Sequence, residues 1–492
     1  MSRRFLLLLS FVFLLLQGPD AAAQRRLLTL DDVVDIAREQ SPDALVARHR
    51  YRGSYWQHQS YRAGYLPRLR LDATIPNLNR TISPITLPDG SDIFVSRSLA
   101  TSTGTLDLRQ RIGLTGGELF VSSSLQRIDL IRDDETEVSY LSTPVNIGFR
   151  QPIFAYNPFK WERQIEPLRF QEAQRQYIVN MENISLQATN RFFDLLLAQI
   201  NMEINAVNLA SNDTLYKIAQ GRYSLGRIAE NELLQMELNA LNSEASLEQS
   251  RIDYEGALFR FRSYLGLEGT AQLELLPPEN THDLQIDVST ALAEARRNRP
   301  DILEFERQVI QADSQVAQAR AESRFNADLY AMFGLTQTAQ ELPSVYRDPL
   351  DQQRLSIGVS IPILDWGVSR GRLRMAESNR ELVQTTVSQG EVDFDQEVML
   401  KVMEFNMLGS QLIIAEKADI IAQKRYEVTR QRFMIGRIDI IDLNLALEEK
   451  DRAKQRFLAA LRTYWSEFYV MRRLTLYDFV NNQPITVDYD EI

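Results

Sequence analysis

The 492-residue chain repeats itself, and the repeat limits what it can fold into. Against the stretch 258 positions further on, Pro42-Asp43 meets Pro300-Asp301, Ala37 meets Ala295, and Gln57 meets Gln315. In the same register Arg62-Ala63 meets Arg320-Ala321 and Leu71 meets Leu329. A second register, offset by 210, sets Ile147-Gly148 on Ile357-Gly358, Pro152-Ile153 on Pro362-Ile363, and Gly226-Arg227-Ile228 on Gly436-Arg437-Ile438. The offsets differ by 48, so the first copy carries 48 additional residues between Leu71 and Val145. Two copies of one unit predict a pseudo-symmetric architecture of paired elements. On this reading the first repeat is 24–265, a linker is 266–285, the second repeat is 286–480 and a tail is 481–492.

Residues 1–23 read as a signal peptide. Arg3 and Arg4 precede an apolar run from Phe5 to Leu16 broken only by Ser10, and Ala21-Ala22-Ala23 supplies a cleavage site. The run is too short to span roughly 30 Å of hydrocarbon. The mature chain then begins at Gln24 with 53 basic and 65 acidic residues, a net of −12. That balance argues against a nucleic-acid partner. Cys is absent, so an exported chain must rely on packing, pairing or oligomerisation, and no lipid-anchored Cys is available. No later apolar run approaches 18 residues, which predicts no helical membrane span. A membrane crossing would require a closed β-barrel.

Each copy reads in the order helix, strands, long helix, tight turn, helix. Residues 30–64 read as one helix opened by Thr29, Asp31 and Asp32. The period then drops to two: Leu69, Leu71, Ala73 and Ile75 alternate with Arg70, Asp72 and Thr74. In the second copy Phe325, Ala327, Leu329, Ala331, Phe333 and Leu335 alternate with polar or small residues, as do Leu355, Ile357, Val359 and Ile361. Such strands fit a membrane barrel with a wet lumen, and equally a half-buried sheet in a soluble domain. The 48-residue surplus reads as an added hairpin, 105–113 and 118–130 around Gly116-Gly117, with 76–104 and 132–140 as long polar connections. Residues 158–221 and 367–435 read as long helices. In the latter, Val398, Val402, Phe405, Leu408, Leu412 and Ala415 form a coiled-coil seam. Gly269, Pro277-Pro278 and Asn280 mark the linker as loop.

Two motifs punctuate these elements, each occurring twice. Pro152 and Pro362 stand where a strand leaves its ladder for a helix, since proline has fixed φ and no N–H to donate. Gly226 and Gly436 stand where a long helix must stop, with Arg227 and Arg437 beside the C-terminal dipole. Glu232 and Asp442, six residues past each glycine, suit the start of the next helix, where anions are favoured. Capping alone accounts for all these residue types.

With the repeat, leader and motifs together, the chain resembles the TolC-like outer-membrane efflux proteins over essentially all of 24–480. The resemblance implies a mixed α and β membrane protein: a long coiled-coil α-helical barrel continuous with a trimeric transmembrane β-barrel, internally duplicated. It implies a homotrimer in the cell outer membrane, surrounded by outer-membrane lipid, with its helical tunnel in the periplasm. The function implied is the passive exit duct of a tripartite efflux pump or type I secretion system. A periplasmic adaptor would open it, with an inner-membrane RND, ABC or MFS transporter acting indirectly. Leu225, Gly226, Arg227, Ile228, Ile435, Gly436, Arg437 and Ile438 become adaptor-docking tips. Asp442, Glu232 and Leu445 become the periplasmic gate. Asp442 matches one position of the family's Asp rings, but Leu445 occupies the second. Phe433 stands where a latch Tyr is usual, and Arg437 lies one residue before the usual latch Arg, which puts that latch in question. The contrasting reading is a periplasmic coiled-coil adaptor or stalk without a barrel.

No enzyme is expected. Phosphate-loop and nucleophile-elbow motifs are absent, and the three His (His49, His58 and His282) lack ligand spacing, so neither cofactor nor metal is predicted. The acidic stretch Asp133 to Glu137 reads as a solvated surface loop.

Overall fold

The computed structural model describes residues 26–131, 136–267, 273–278 and 284–489. The leader at 1–23, Asp133, Asp134 and Glu135, and the linker's Gly269 and Asn280 lie outside them. The chain forms two compact units. One is drawn from Met1–Tyr51, Gln174–Arg299 and Asp393–Ile492, the other from Arg52–Ala173 and Pro300–Val392.

Helices dominate the first unit. Thr29 opens α1 (Leu30–Gln40) with a reciprocal cap: its hydroxyl accepts from the Asp32 amide, and the Asp32 carboxylate accepts from the Thr29 amide at 2.9 Å. The single helix expected over 30–64 is broken at Ser41. As the residue before a proline, Ser41 is extended (ψ 148°), and α2 (Pro42–Ala63) restarts behind it. The elements that follow are α3 (Pro158–Ser224), α4 (Glu230–Leu265), α5 (Val288–Asn298), α6 (Pro300–Glu322), α7 (Val368–Met434) and α8 (Ile440–Thr475). The 67 residues of α3 and of α7 correspond to about 100 Å each at 1.5 Å per residue. The linker is not wholly loop, because β6 (Leu273–Leu275) pairs in parallel with β1 (Arg26–Leu28) and buries Leu28 and Leu275.

The seam read in α7 packs within the protomer: Val398, Val402, Phe405 and Leu412 are buried, and Phe405 meets Tyr464 of α8 at 5.5 Å. A second stripe on α7 has no cover. Met399, Leu400, Met403, Met407, Ile413 and Ile414 are all exposed. An 18-residue window of α7 reaches mean hydropathy 1.3 with 22% of it buried, enough by length and composition to cross a membrane. Lys401 and Glu404, paired at 2.8 Å, interrupt its apolar run.

Deep in the same unit Glu182 of α3 is fully buried and ion-paired to Arg38 of α1. It also accepts from Arg472 of α8 at 2.9 Å, and Arg472 reaches Asp478 in β9 (Tyr477–Asp478) at 2.8 Å. Burial pulls the Arg472 guanidinium down, but Glu182 and Asp478 together hold it above the ordinary arginine value.

The second unit is built on one antiparallel sheet of six strands. In spatial order they are β2 (Arg68–Thr86), β3 (Asp92–Ile112), β4 (Gly117–Ile131), β5 (Thr136–Ile153), β7 (Asn326–Ala339) and β8 (Leu350–Ser360). The surplus of the first copy therefore adds two strands to the same sheet. Most of 76–104, expected as a connection, is strand on either side of a tight turn at Leu87 to Ser91, where Gly90 has φ +87°. Its polar composition and Pro76 and Pro84 concealed this. β2 is an edge strand, where proline is tolerated, and Pro76 falls in the irregularity between Thr74 and Asn77. Pro362 lies just past the end of β8. Pro152 is still opposite Asp328 on β7, but beyond Arg150, where pairing with β4 stops.

The register sorts side chains into two faces. Leu69 and Leu71 stand opposite Leu108 and Leu106; Leu108 faces Val121; Val121 faces Ile147; Ile147 faces Phe333; Leu329 faces Ile357. This apolar file crosses all six strands and is open, with Leu71 69% and Ile357 63% exposed. The other face is polar and ion-paired, as in Arg109 with Glu118 at 3.2 Å and Arg150 with Asp328 at 3.2 Å. There the Phe120 ring lies over Gly148, where a Cβ would sit 2.1 Å from the ring, and stacks on Tyr330 at 5.8 Å.

Candidate functional site

The two helix tips meet within the helical unit. Both long helices end in the same way. Gly226 (φ +66°) donates to the Tyr223 carbonyl at 2.8 Å, and Arg227 donates to the Arg222 carbonyl at 2.9 Å. Gly436 (φ +75°) repeats this, donating to the Phe433 carbonyl at 2.9 Å, with Arg437 donating to the Arg432 carbonyl at 3.0 Å. These paired bonds satisfy the last carbonyls of α3 and α7, and glycine is the residue that takes positive φ without strain. The next helices open differently. Asp439 caps α8 by accepting from the Asp442 amide at 3.0 Å, whereas Ala229 before α4 offers no side-chain cap.

Beneath the turns Leu215, Ala219, Met236, Phe433, Ile440 and Leu443 form a small core, with Ile228 and Leu447 against it. Above it lies a cavity of about 630 Å³. It brings together Arg227, Ile228 and Glu232 of one tip with Ile435, Gly436, Arg437 and Ile438 of the other. Leu225, Gly226, Asp442 and Leu445 do not line it; Leu225 is 71% exposed, and Asp442 and Leu445 also face outward.

Arg222, the first residue of the tip motif, and Asp439 also line the cavity, and neither was assigned a site role from the sequence. The Arg222 guanidinium donates to the Phe433 and Met434 carbonyls at 3.1 and 2.9 Å and lies 5.3 Å over the Phe433 ring. It thus caps the end of α7 from α3. Phe433 lacks the expected hydroxyl and instead supplies a ring face and a carbonyl. The one sequence signal was a basic residue in the last turn of α3, where the helix dipole favours a cation. Three guanidinium groups and two carboxylates line the cavity without a nucleophile, a set suited to binding. Replacing Arg222 by Ala removes two charge-assisted bonds, about 2 kcal/mol. Amide exchange at Ile435 to Ile438 should accelerate roughly thirtyfold. An unchanged rate would show that Arg222 holds nothing there.

Residues 291–467 match the family described as outer membrane efflux protein. No curated protein matches the chain. Among solved structures, the CmeC outer membrane channel of Campylobacter jejuni is 16% identical, covers 94% of this chain and 88% of its own, and has a TM-score of 0.65. The outer membrane protein VceC of Vibrio cholerae is 14% identical, covers 91% and 95%, and has a TM-score of 0.62. The open state of the Neisseria gonorrhoeae MtrE outer membrane channel is 14% identical, covers 91% and 88%, and has a TM-score of 0.60. At these identities the likeness shows the fold.

Proposed function

We propose that the protein is a passive outer-membrane channel that assembles as a homotrimer. It serves as the exit duct of a tripartite efflux pump or type I secretion system. The observation that carries this reading is the exposed apolar face running in register across six strands. A soluble sheet would bury such a face, whereas a barrel wall turns it to lipid and keeps the polar face, with Arg150 and Asp328, on the lumen. Six strands per chain make an 18-stranded wall from three copies. Helix α4 also leaves an apolar file open, Leu234, Leu238, Leu241, Ile252 and Phe259, at coiled-coil spacing. This file and the open stripe on α7 supply two seams for neighbouring copies. A periplasmic stalk accounts for those seams but not for the apolar sheet face.

The tips are the proposed contact for a periplasmic adaptor, with exposed Leu225 and Ile435 foremost, and an inner-membrane transporter coupled through it. Exposed Asp442, brought near the threefold axis by trimerisation, would set the constriction. Asp442→Ala should therefore raise single-channel conductance in planar bilayers. A conductance equal to wild type would remove Asp442 from the gate.

A further inference from the structure

Two cavities of the sheet unit lie where helices meet strands, one at the end of α2 and one at the end of α6. One, about 570 Å³, is lined by Tyr61, Arg62, Tyr65, Arg111, Leu114 and Arg163, among others. The second, about 420 Å³, is lined by Phe154, Arg320, Arg324 and Phe325 with two alanines. Arg62-Ala63 and Arg320-Ala321 are the pair that the repeat aligns. Among the described residues, no carboxylate lines either cavity. The Arg111 guanidinium lies over the Phe159 ring at 5.4 Å, and the carboxylate nearest Arg320, on Glu377, is a loose 3.9 Å away.

The first cavity is built rather than incidental. Gln110 Nε2 donates to the Tyr65 carbonyl at 2.7 Å. Asn157 Nδ2 donates to the Gly113 and Leu114 carbonyls at 3.2 Å, and Gln151 Nε2 donates to the Thr115 carbonyl at 2.9 Å. These bonds hold the β3–β4 turn against the helix ends. Both cavities adjoin the apolar face. Ile112 continues the file of Leu106 and Leu108, and Phe325 continues that of Ala327 and Leu329. At their mouths Leu114 is 82% and Phe154 71% exposed.

We propose that these cavities bind the phosphate of anionic glycerophospholipids in the leaflet nearest the helices. Guanidinium groups take the phosphate oxygens in pairs of charge-assisted bonds. Tyrosine and phenylalanine suit the depth of the headgroups, and exposed Leu114 and Phe154 meet the acyl chains. A free phosphate would gain nothing from those apolar mouths, which favours a lipid. The inference rests on the apolar face meeting a bilayer.

Native mass spectrometry of the full protein in detergent, offered equal phosphatidylglycerol and phosphatidylcholine, tests it. Wild type should retain phosphatidylglycerol preferentially. The Arg62→Gln, Arg111→Gln, Arg163→Gln variant should lose the lipid of the first cavity, its retention there falling roughly a hundredfold at about fivefold per arginine, while the lipid held by Arg320 and Arg324 in the second cavity stays. Arg80→Gln, on the exposed β2–β3 hairpin, should retain it as wild type does. Equal retention of both lipids by wild type, which needs no variant, overturns the proposal. Complete displacement by millimolar inorganic phosphate also overturns it, in favour of a free-anion site. Failure of the membrane reading is separately visible as extraction of wild type by carbonate. A carbonate-resistant protein without lipid preference overturns the lipid site alone.

Discussion

Glu182→Ala is expected to destabilise the helical unit by about 3–5 kcal/mol, the usual cost of removing one partner from a buried ion pair. Glu182 is fully buried and takes charge from both Arg38 and Arg472, so its loss leaves the largely buried Arg472 with Asp478 and takes from the partly exposed Arg38 the carboxylate it pairs with. Trp465 lines a neighbouring cavity of about 290 Å³ with Arg38 and Arg472, and its fluorescence reports unfolding there. The urea midpoint should fall sharply. A second substitution, Arg38→Met added to Glu182→Ala, rebalances one cation against one anion and should recover much of the loss. If the double variant is no better than the single, charge imbalance is not the cause. The cluster also has an acid limit. Burial pushes Asp478 up, but hydrogen bonds from Asn481 and the charge of Arg472 hold it below its ordinary 3.8. Its contribution is present above pH 3.8 and is lost as pH falls through the depressed value.

Ile357→Arg is expected to abolish assembly into the outer membrane, while Ser356→Arg, one residue away, leaves it near wild type. Ile357 lies on the apolar face opposite Leu329, and Ser356 on the polar face opposite Tyr330. An arginine on the lipid face costs about 2–4 kcal/mol near the bilayer midplane and far less in a lumen. The readout is the amount of heat-modifiable oligomer in outer-membrane fractions. Equal loss from both variants would mean that the faces are not chemically distinct.

Much of this was legible in the sequence, because helices and strands write themselves in local spacing. The seam at Val398, Val402 and Phe405, the capping Thr29 and the stops at Gly226 and Gly436 are each specified by residues within a turn or two. The β2–β3 hairpin was hidden because an edge strand tolerates Pro76 and Pro84, residues that read as loop signals in a polar stretch. The break at Ser41-Pro42 was hidden because the periodicity continues through it. Contacts made at a distance left no local trace. Glu182 meets Arg472 290 residues away, and Arg222 meets Phe433 211 residues away. The tip cavity was half legible: the repeated Gly-Arg-Ile motif pointed to it, but only the folded chain brings Arg222 and Asp439 into its wall.

The central claim is that one face of the sheet meets lipid and the other meets water. The natural absence of Cys makes this directly measurable. Single substitutions Leu355→Cys, Ser356→Cys, Ile357→Cys and Gly358→Cys would be spin-labelled and reconstituted in bilayers. Collision with oxygen, which partitions into lipid, would be compared with collision with a water-soluble nickel complex. The account predicts strict alternation, with oxygen dominant at 355 and 357 and nickel dominant at 356 and 358. Equal access of the nickel complex at all four positions would contradict it.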